Sequence, residues 1–368
     1  MSKAAELAKA GETLTNQPSG RKNIIINGAM QVAQRSASVT GIGASAGYFT
    51  LDRWKISTAA SAGRLTMTQT ADGPSGFANC LKLDCTTADT SIAAGENLFI
   101  QHRFEGQDLQ QIKKGTSDAE SITLSFYIKA NAVFTFGVEL LDIDNTRQIT
   151  KLFDTTTDWV RHTITFPADT TGAFDDDNAR SLDINFHLHG GSNTTSGTLN
   201  TASWASTTNA NRAAGIDSFY SNTDNNFFIT GVQMEIGSQA TNFEHRSFGE
   251  ELALCQRYFE IHTTLVDFHM LAMAQAISST QARFFMPFLV TKRAAPTATF
   301  SASGTFTANT AGASNAGAAT AIAVETSDIN EIRGILTVGS GLSAGNASFL
   351  QMLGSQDSAA TVKLDSEL

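Results

Sequence analysis

Charged side chains are scarce in this sequence, 16% of 368 residues, against roughly a quarter in an average soluble domain. Ser, Thr, Asn, Gly and Ala carry the polarity instead, as in rigid extracellular β proteins. Net charge is −10. That balance argues against nucleic acid as a partner, because phosphate binding needs a basic surface. Cysteine is scarcer still, with Cys80, Cys85 and Cys255 alone. A disulfide framework requires more, in even number. Cys80 and Cys85 are five apart and would face opposite ways on one strand, so the three read as small buried hydrophobes. No apolar run approaches the ~20 residues that span a bilayer. The stretch Met1–Gly11 is short, Ala-rich and amphipathic. It is not expected to act as a signal peptide, so export by the usual secretory route is not expected either. There is no Walker motif, no H-E-x-x-H and no G-x-S-x-G elbow. Gly41-Ile42-Gly43 with Gly47 has the wrong spacing for a phosphate loop, and no helix follows it. Without a catalytic signature, the chain is expected to bind and build rather than to catalyse, although paired glycosidase carboxylates are defined by separation in space and leave no mark in sequence.

What is present is a run of period-two segments. Ser121–Lys129, Ala132–Leu140, Leu182–His189 and Asn226–Ile236 each alternate apolar and polar residues, the pattern of half-buried strands. In the last of these, Phe228, Val232, Met234 and Ile236 are expected on one inward side. Thr163–Phe166, Phe284–Thr291 and Ile332–Val338 are shorter strand candidates, and Asn27-Gly28 is a turn signal. Many strands with Gly/Asn/Asp turns and no interleaved helices predict an antiparallel sandwich. Residues 3–10 read as a short helix of strong helix formers, too short to stand alone, followed by a linker to Lys22. Ser247-Phe248-Gly249-Glu250 fits a helix capping box, opening a connecting helix over 247–262. Residues 297–323 are nearly all Thr, Ser, Ala, Gly and Asn, too poor in apolar groups for a large core of their own; symmetry mates are expected to supply neighbours. The expected fold is therefore mostly β, with four parts: an N-terminal helix and linker (1–22), a β-sandwich (23–246), the connecting helix (247–262) and a β-rich distal domain (263–368).

Several side chains stand out. His187 and His189, at i and i+2, could offer two metal ligands, but no further ligand is evident, and a polar strand face is preferred. Asp175-Asp176-Asp177-Asn178 is oxygen-rich but lacks EF-hand spacing, and a solvated turn is preferred. Trp54, Trp159 and Trp204 could each stack on a sugar ring. Trp54 reads as core. Trp204 lies in Gly190–Asn226, a stretch crowded with Gly, Ser, Thr and Asn, of the kind that carries binding more often than cores do. Trp204, Asn211, Arg212, Phe219 and Tyr220 are the candidate contacts there, with loops within 297–350 as the other location.

Three segments in order resemble a family of bacteriophage tail-fibre and related virion fibre proteins: residues 23–35 (NIIINGAMQVAQR), 48–54 (YFTLDRW), and 228–237 running on through 243–258 (FEHRSFGEELALCQRY). The match spans about residues 23–260, with a weaker echo from Met286-Pro287 to Thr297. The resemblance implies a jelly-roll domain akin to carbohydrate-binding modules and a homotrimer. It also implies attachment to another virion protein through the N-terminus, where Ala4, Leu7 and Ala8 would pack, and a distal tip that meets a host surface polysaccharide. Some such modules hold a structural calcium between their first and last strands, the places of Asn27 and Glu235 here; no other cofactor is implied. The short N-terminal region leaves two forms open, a tail fibre and a capsid (head) fibre, decoration or adaptor protein of architectural role.

Overall fold

A computed structural model of the chain describes residues 3, 21–263, 269–310, 316–353 and 360–368. Ala4, Leu7 and Ala8 lie outside the described residues. The first part is a sandwich of two sheets. One runs β1 (Ser38–Ile42), β4 (Arg64–Thr70), β5 (Cys80–Thr87), β13 (Asn226–Ile236), β7 (Ile122–Ala130), β10 (Val160–Phe166). The other runs β12 (Ala205–Ser206), β9 (Arg147–Asp154), β8 (Thr135–Asp142), β11 (Arg180–Gly190), β6 (Asn97–Glu105), β3 (Lys55–Ala59), β2 (Gly47–Tyr48). All pairings in the two sheets are antiparallel. Non-consecutive neighbours such as β5–β13–β7 and β8–β11–β6 make this a jelly roll, as expected.

Alternation placed the core correctly for most strands. Leu182, Ile184, Phe186 and Leu188 are fully buried, as are Leu124, Phe126 and Ile128 opposite them. Phe126 meets Phe186 at 5.1 Å and Phe153 at 5.3 Å, while Phe136 meets Phe227 at 5.8 Å, mostly edge to face, the geometry the ring quadrupole favours. Strand β13 departs from the expected pattern. Its register slips between Thr230 and Gln233 because Gly231 sits at φ +60°, a bulge that moves the following residues to the other face. Phe227 and Ile229 therefore point into the core before the bulge, and Val232 and Met234 after it. Phe228 points out.

The three cysteines are buried and unpaired. Ser247 caps the next helix, its Oγ accepting the Glu250 amide at 3.3 Å. Numbering the short helix Ser192–Thr195 as α1, this is α2 (Phe248–Gln256). It is shorter than expected: Phe259–Thr263 forms strand β14, because it pairs with β22 (Thr361–Asp365), and β22 pairs in turn with β17 (Thr297–Phe300). The remaining sheet runs β18 (Phe306–Thr310), β21 (Ala347–Met352), β15 (His269–Ala276), β16 (Gln281–Pro287), β20 (Glu331–Val338), β19 (Ala319–Ser327). Strand β16 stops at Pro287, earlier than the sequence suggested. These two sheets share a second core, in which Ala272, Ala276, Ala282 and Ala308 pack among larger side chains such as Phe284, Phe306, Leu336 and Leu350. Strand β19 is exposed on both faces through its middle, so the Ser/Thr/Ala stretch stays thin there. No helix among the described residues is long and apolar enough to cross a membrane.

The two parts are joined by charge rather than by oil. Arg53, fully buried, is paired with Glu367 and lies 3.4 Å above the Tyr258 ring. Arg257 forks onto Glu105 at 2.8 and 2.6 Å, and the Tyr258 hydroxyl donates to the same carboxylate at 2.5 Å. Arg35 stacks on Phe259 at 3.6 Å and reaches Asp52 at 3.3 Å. Burial raises the Asp52 carboxyl to about 6 against the pull of Arg35 and Gln34.

Candidate functional site

Of the two locations expected for receptor contacts, Gly190–Asn226 and the loops within 297–350, the first forms, up to the start of β13, a lid over the outer face of the second sheet. Trp204 is buried and donates its indole N–H to the Pro167 carbonyl at 2.9 Å. Phe219 and Tyr220 are fully buried in the sandwich core. These three are corrected from contact residues to anchors: a long polar loop holds its shape by driving its few large apolar groups inward. Asn211 is half-buried, its side-chain oxygen accepting the Thr198 amide at 3.0 Å. Arg212 forks onto Glu139 with two 2.8 Å bonds and is thereby spent.

Beneath the lid, side chains directly opposed across neighbouring strands form a row, of which the middle three are hydrogen-bonded to one another. Thr150, Glu139, Asn185, Gln101 and Lys55 sit opposite one another on β9, β8, β11, β6 and β3. Asn185 donates to Glu139 at 2.8 Å, and Gln101 donates to Asn185 at 2.8 Å and to Asp183 at 3.0 Å. Arg180 clamps Asp183, with Nε at 2.7 Å, and Arg103 donates Nε to Gln101 at 2.8 Å. His187 contacts Glu139 at 3.0 Å. Burial opposes ionisation of Glu139, but the bonds and charge of Arg212, with those of His187, outweigh it and hold the carboxyl well below its usual range. Burial raises Asp183 against the same kind of pull from Arg180. Both carboxylates are committed to guanidinium partners.

The opposite face of the sandwich is built differently. Of the three tryptophans, Trp54 is fully buried, its N–H on the Asn27 carbonyl at 2.9 Å, Trp204 is buried, and Trp159 alone keeps part of its ring at the surface. It stands at the end of an outward row that the register fixes: Lys82 on β5 opposes Phe228 on β13, which opposes Lys129 on β7. Trp159, one residue before β10, lies edge-on to Phe228 at 6.2 Å. The Lys129 ammonium sits 5.3 Å from the Trp159 ring and 4.6 Å from Phe228, and pairs with Asp72 at 2.7 Å; Lys82 pairs with Asp84 at 2.9 Å. Tyr127, Phe77 and Phe243 continue the aromatic surface, with Phe77 at 5.2 Å from Tyr127 and 4.9 Å from Phe243. An aromatic ring flanked by ammonium and carboxylate groups on a flat sheet can take the apolar face of a sugar while bonding its hydroxyls. Sequence patterning passed over this row because it turned Phe228 inward; the lone Gly231 inside a strand was the available signal of a bulge.

The other candidates are accounted for locally. Both Asn27 and Glu235 are buried, and their oxygens already serve protein donors. Asn27 Oδ1 accepts the Val32 amide at 3.0 Å, and Glu235 takes the Thr241 amide at 2.9 Å and its hydroxyl at 2.5 Å. His189 is held between Ser218 at 2.8 Å and Glu96 at 3.0 Å, so the two histidines have separate carboxylates. The turn at Asp175–Asn178 is exposed, and the Asn178 side chain donates to the Arg293 carbonyl at 2.7 Å. No group of three or more His, Cys, Asp or Glu side chains fit to hold a metal ion occurs among the described residues.

No family model matches the sequence, and no curated protein does. Among solved structures the chain is similar to a CBM4 structure, at 12% identity over 57% of this chain and 97% of that one, with a TM-score of 0.31. It is similar to the CBM22-1 xylan-binding domain of Paenibacillus barcinonensis Xyn10C, at 9% identity over 60% and 100%, TM-score 0.30. It is also similar to the enzymatically active domain of bacteriophage CBA120 tailspike protein 4, at 12% identity over 58% of this chain but only 21% of that one, TM-score 0.31. At such scores these likenesses carry no argument about function.

Proposed function

We propose that this chain is a virion fibre subunit that holds a phage particle to a saccharide on the host surface, and that Trp159 is its contact residue. The observation that supports saccharide contact is the outer-face row Lys82–Phe228–Lys129 closed by Trp159, part of whose ring is at the surface. The virion assignment rests on the resemblance carried by residues 23–35, 48–54 and 228–258. On that reading the chain works as a homotrimer in a tail fibre, fixed through its N-terminal segment to another virion protein, and multiple copies turn weak sugar contacts into avidity. It binds without cleaving. A glycosidase needs one carboxylate able to give a proton and another free to act as base or nucleophile, whereas Glu139 and Asp183 are each clamped by an arginine. The test is binding of the purified chain to host cells. Trp159→Ala is expected to lower it strongly, and unchanged binding with the chain mapped to the capsid shell of intact particles would favour the architectural role instead.

A further inference from the structure

We infer that the outer face of the six-stranded sheet in the second part is the surface through which copies of this chain associate. The inference deepens the proposed homotrimer, on which it rests for the number of copies, by naming where they meet. The register lays one row straight across the middle of that face: Phe349 on β21, Met273 on β15, Phe285 on β16 and Arg333 on β20. On the inner side, Leu350, Ala272, Phe284, Met286 and Ile332 of the same strands belong to the second core. The sheet is therefore apolar on both sides at its centre. Strands of that character are covered on both faces, whereas a strand with one face in water alternates apolar with polar residues. The sequence shows the same departure from alternation, since Phe284-Phe285-Met286-Pro287-Phe288-Leu289-Val290 contains no polar residue. Yet the outer side stands open: Met273 is 57% and Phe285 45% exposed. Met270, Met273, Phe285 and Pro287 line a shallow depression of about 400 Å³ there.

The occupant that fits is a second copy of the chain. Six strands, about 4.8 Å apart and about seven residues long at about 3.4 Å each, make a face of roughly 29 by 24 Å, or about 700 Å². That is close to the ~800 Å² each partner gives to a standard specific interface. Charge favours a copy over other partners. The chain carries −10 overall, so identical copies repel wherever that charge shows. Among the described residues on this face the charges cancel. Arg283 forks onto Glu325 at 2.8 and 2.9 Å, Arg333 reaches the same carboxylate at 3.3 Å, and Glu331 stands opposite Pro287. Two arginines thus meet two glutamates, and a copy can approach without like-charge repulsion. A basic protein or an anionic surface finds no field of either sign to steer it here. Outward positions near the row are small where Ala347 opposes Gln275 and Ala323 opposes Ile335. That lets two such faces close to the ~10 Å spacing of stacked sheets, apolar centre on apolar centre.

The test is sedimentation equilibrium of the full chain over a range of concentrations, with Phe285→Arg and Val133→Arg compared. Val133 is 69% exposed and lies in the sandwich, between β7 and β8. The parent should form an oligomer. Phe285→Arg should raise its dissociation constant about a hundredfold, as loss of an interface anchor does, and Val133→Arg should leave it unchanged. Both substitutions sit at exposed positions and should leave the fold intact. A second reading needs no substitution. In the associated parent, peroxide should oxidise Met273 several-fold more slowly than in the urea-unfolded chain; a rate near the unfolded one overturns the interface. The face and the trimer fail separately. A trimer indifferent to Phe285→Arg removes the face and leaves the trimer. A dimer that Phe285→Arg breaks keeps the face and removes the trimer. A parent that is monomeric at every concentration overturns both.

Discussion

The two outer faces of the sandwich use similar residues to opposite ends. On the second sheet, charged and amide side chains are tied to one another across β8, β11 and β6 and roofed by 190–225. On the first, an equally polar face is left open, with two lysine–carboxylate pairs and a partly bare tryptophan. Polar content alone therefore does not mark a binding face. Both faces pair their charges within the chain; what separates the two is that one network is buried under a lid and the other lies at the surface. A buried relay is satisfied internally and sets the conformation of its lid, whereas the open row has bonding capacity at the surface.

Substitutions can break that contrast. The largest effect is expected at Glu139. Glu139→Ala strands the Arg212 guanidinium and the His187 ring beneath the lid and should cost about 3–5 kcal/mol, as removal of one member of a buried ion pair does. Urea unfolding measures it, and a loss below 1 kcal/mol would mean the relay is ornamental. Trp159→Ala should do the reverse: host binding falls by about 2 kcal/mol, roughly thirtyfold, as at a binding hot spot, while the unfolding midpoint barely moves.

The relay and the row differ also in how visible they were beforehand. Leu182, Ile184, Phe186 and Leu188 announced their face by alternation, and Ser247 with Glu250 announced a helix start, since both signals are local. Composition then misdirected the reading of 190–225. Its Ser, Thr, Asn and Gly do make a surface loop, but Trp204, Phe219 and Tyr220 are what pin it down, and burial is decided by neighbours far away in sequence. Glu139 is 73 residues from Arg212 and 46 from Asn185, and no sequence spacing hints at such a network. The same holds for the buried pair of Lys292 with Glu260 in the second part, which reads locally as the end of a strand. Phe228 was lost to a single left-handed glycine.

Smaller effects sharpen the comparison. Trp204→Phe keeps an aromatic ring but removes the bond to the Pro167 carbonyl and leaves a small cavity; a stability loss of about 1–3 kcal/mol is expected, with host binding intact. That pairing of results distinguishes anchor from contact. At the junction between the two parts, the raised Asp52 carboxyl, at about 6, adds a pH dependence with a definite sign. Its folded value lies above its unfolded one, so the stabilisation it contributes is complete below the ordinary aspartate range and is lost as pH rises through about 6. Unfolding at pH 5 and pH 7.5 should differ by about 1 kcal/mol in favour of acid, and Asp52→Asn should erase that increment. Glu139, lowered instead, keeps its contribution across this window and loses it only in much stronger acid.

The most direct measurement is equilibrium binding of the purified full chain to host cells, with Trp159→Ala and Trp204→Phe compared side by side and their unfolding midpoints taken from the same preparations. Loss of binding by Trp159→Ala at unchanged stability, with binding retained by a destabilised Trp204→Phe, is the expected outcome. Full binding by Trp159→Ala would contradict a saccharide platform on the open face.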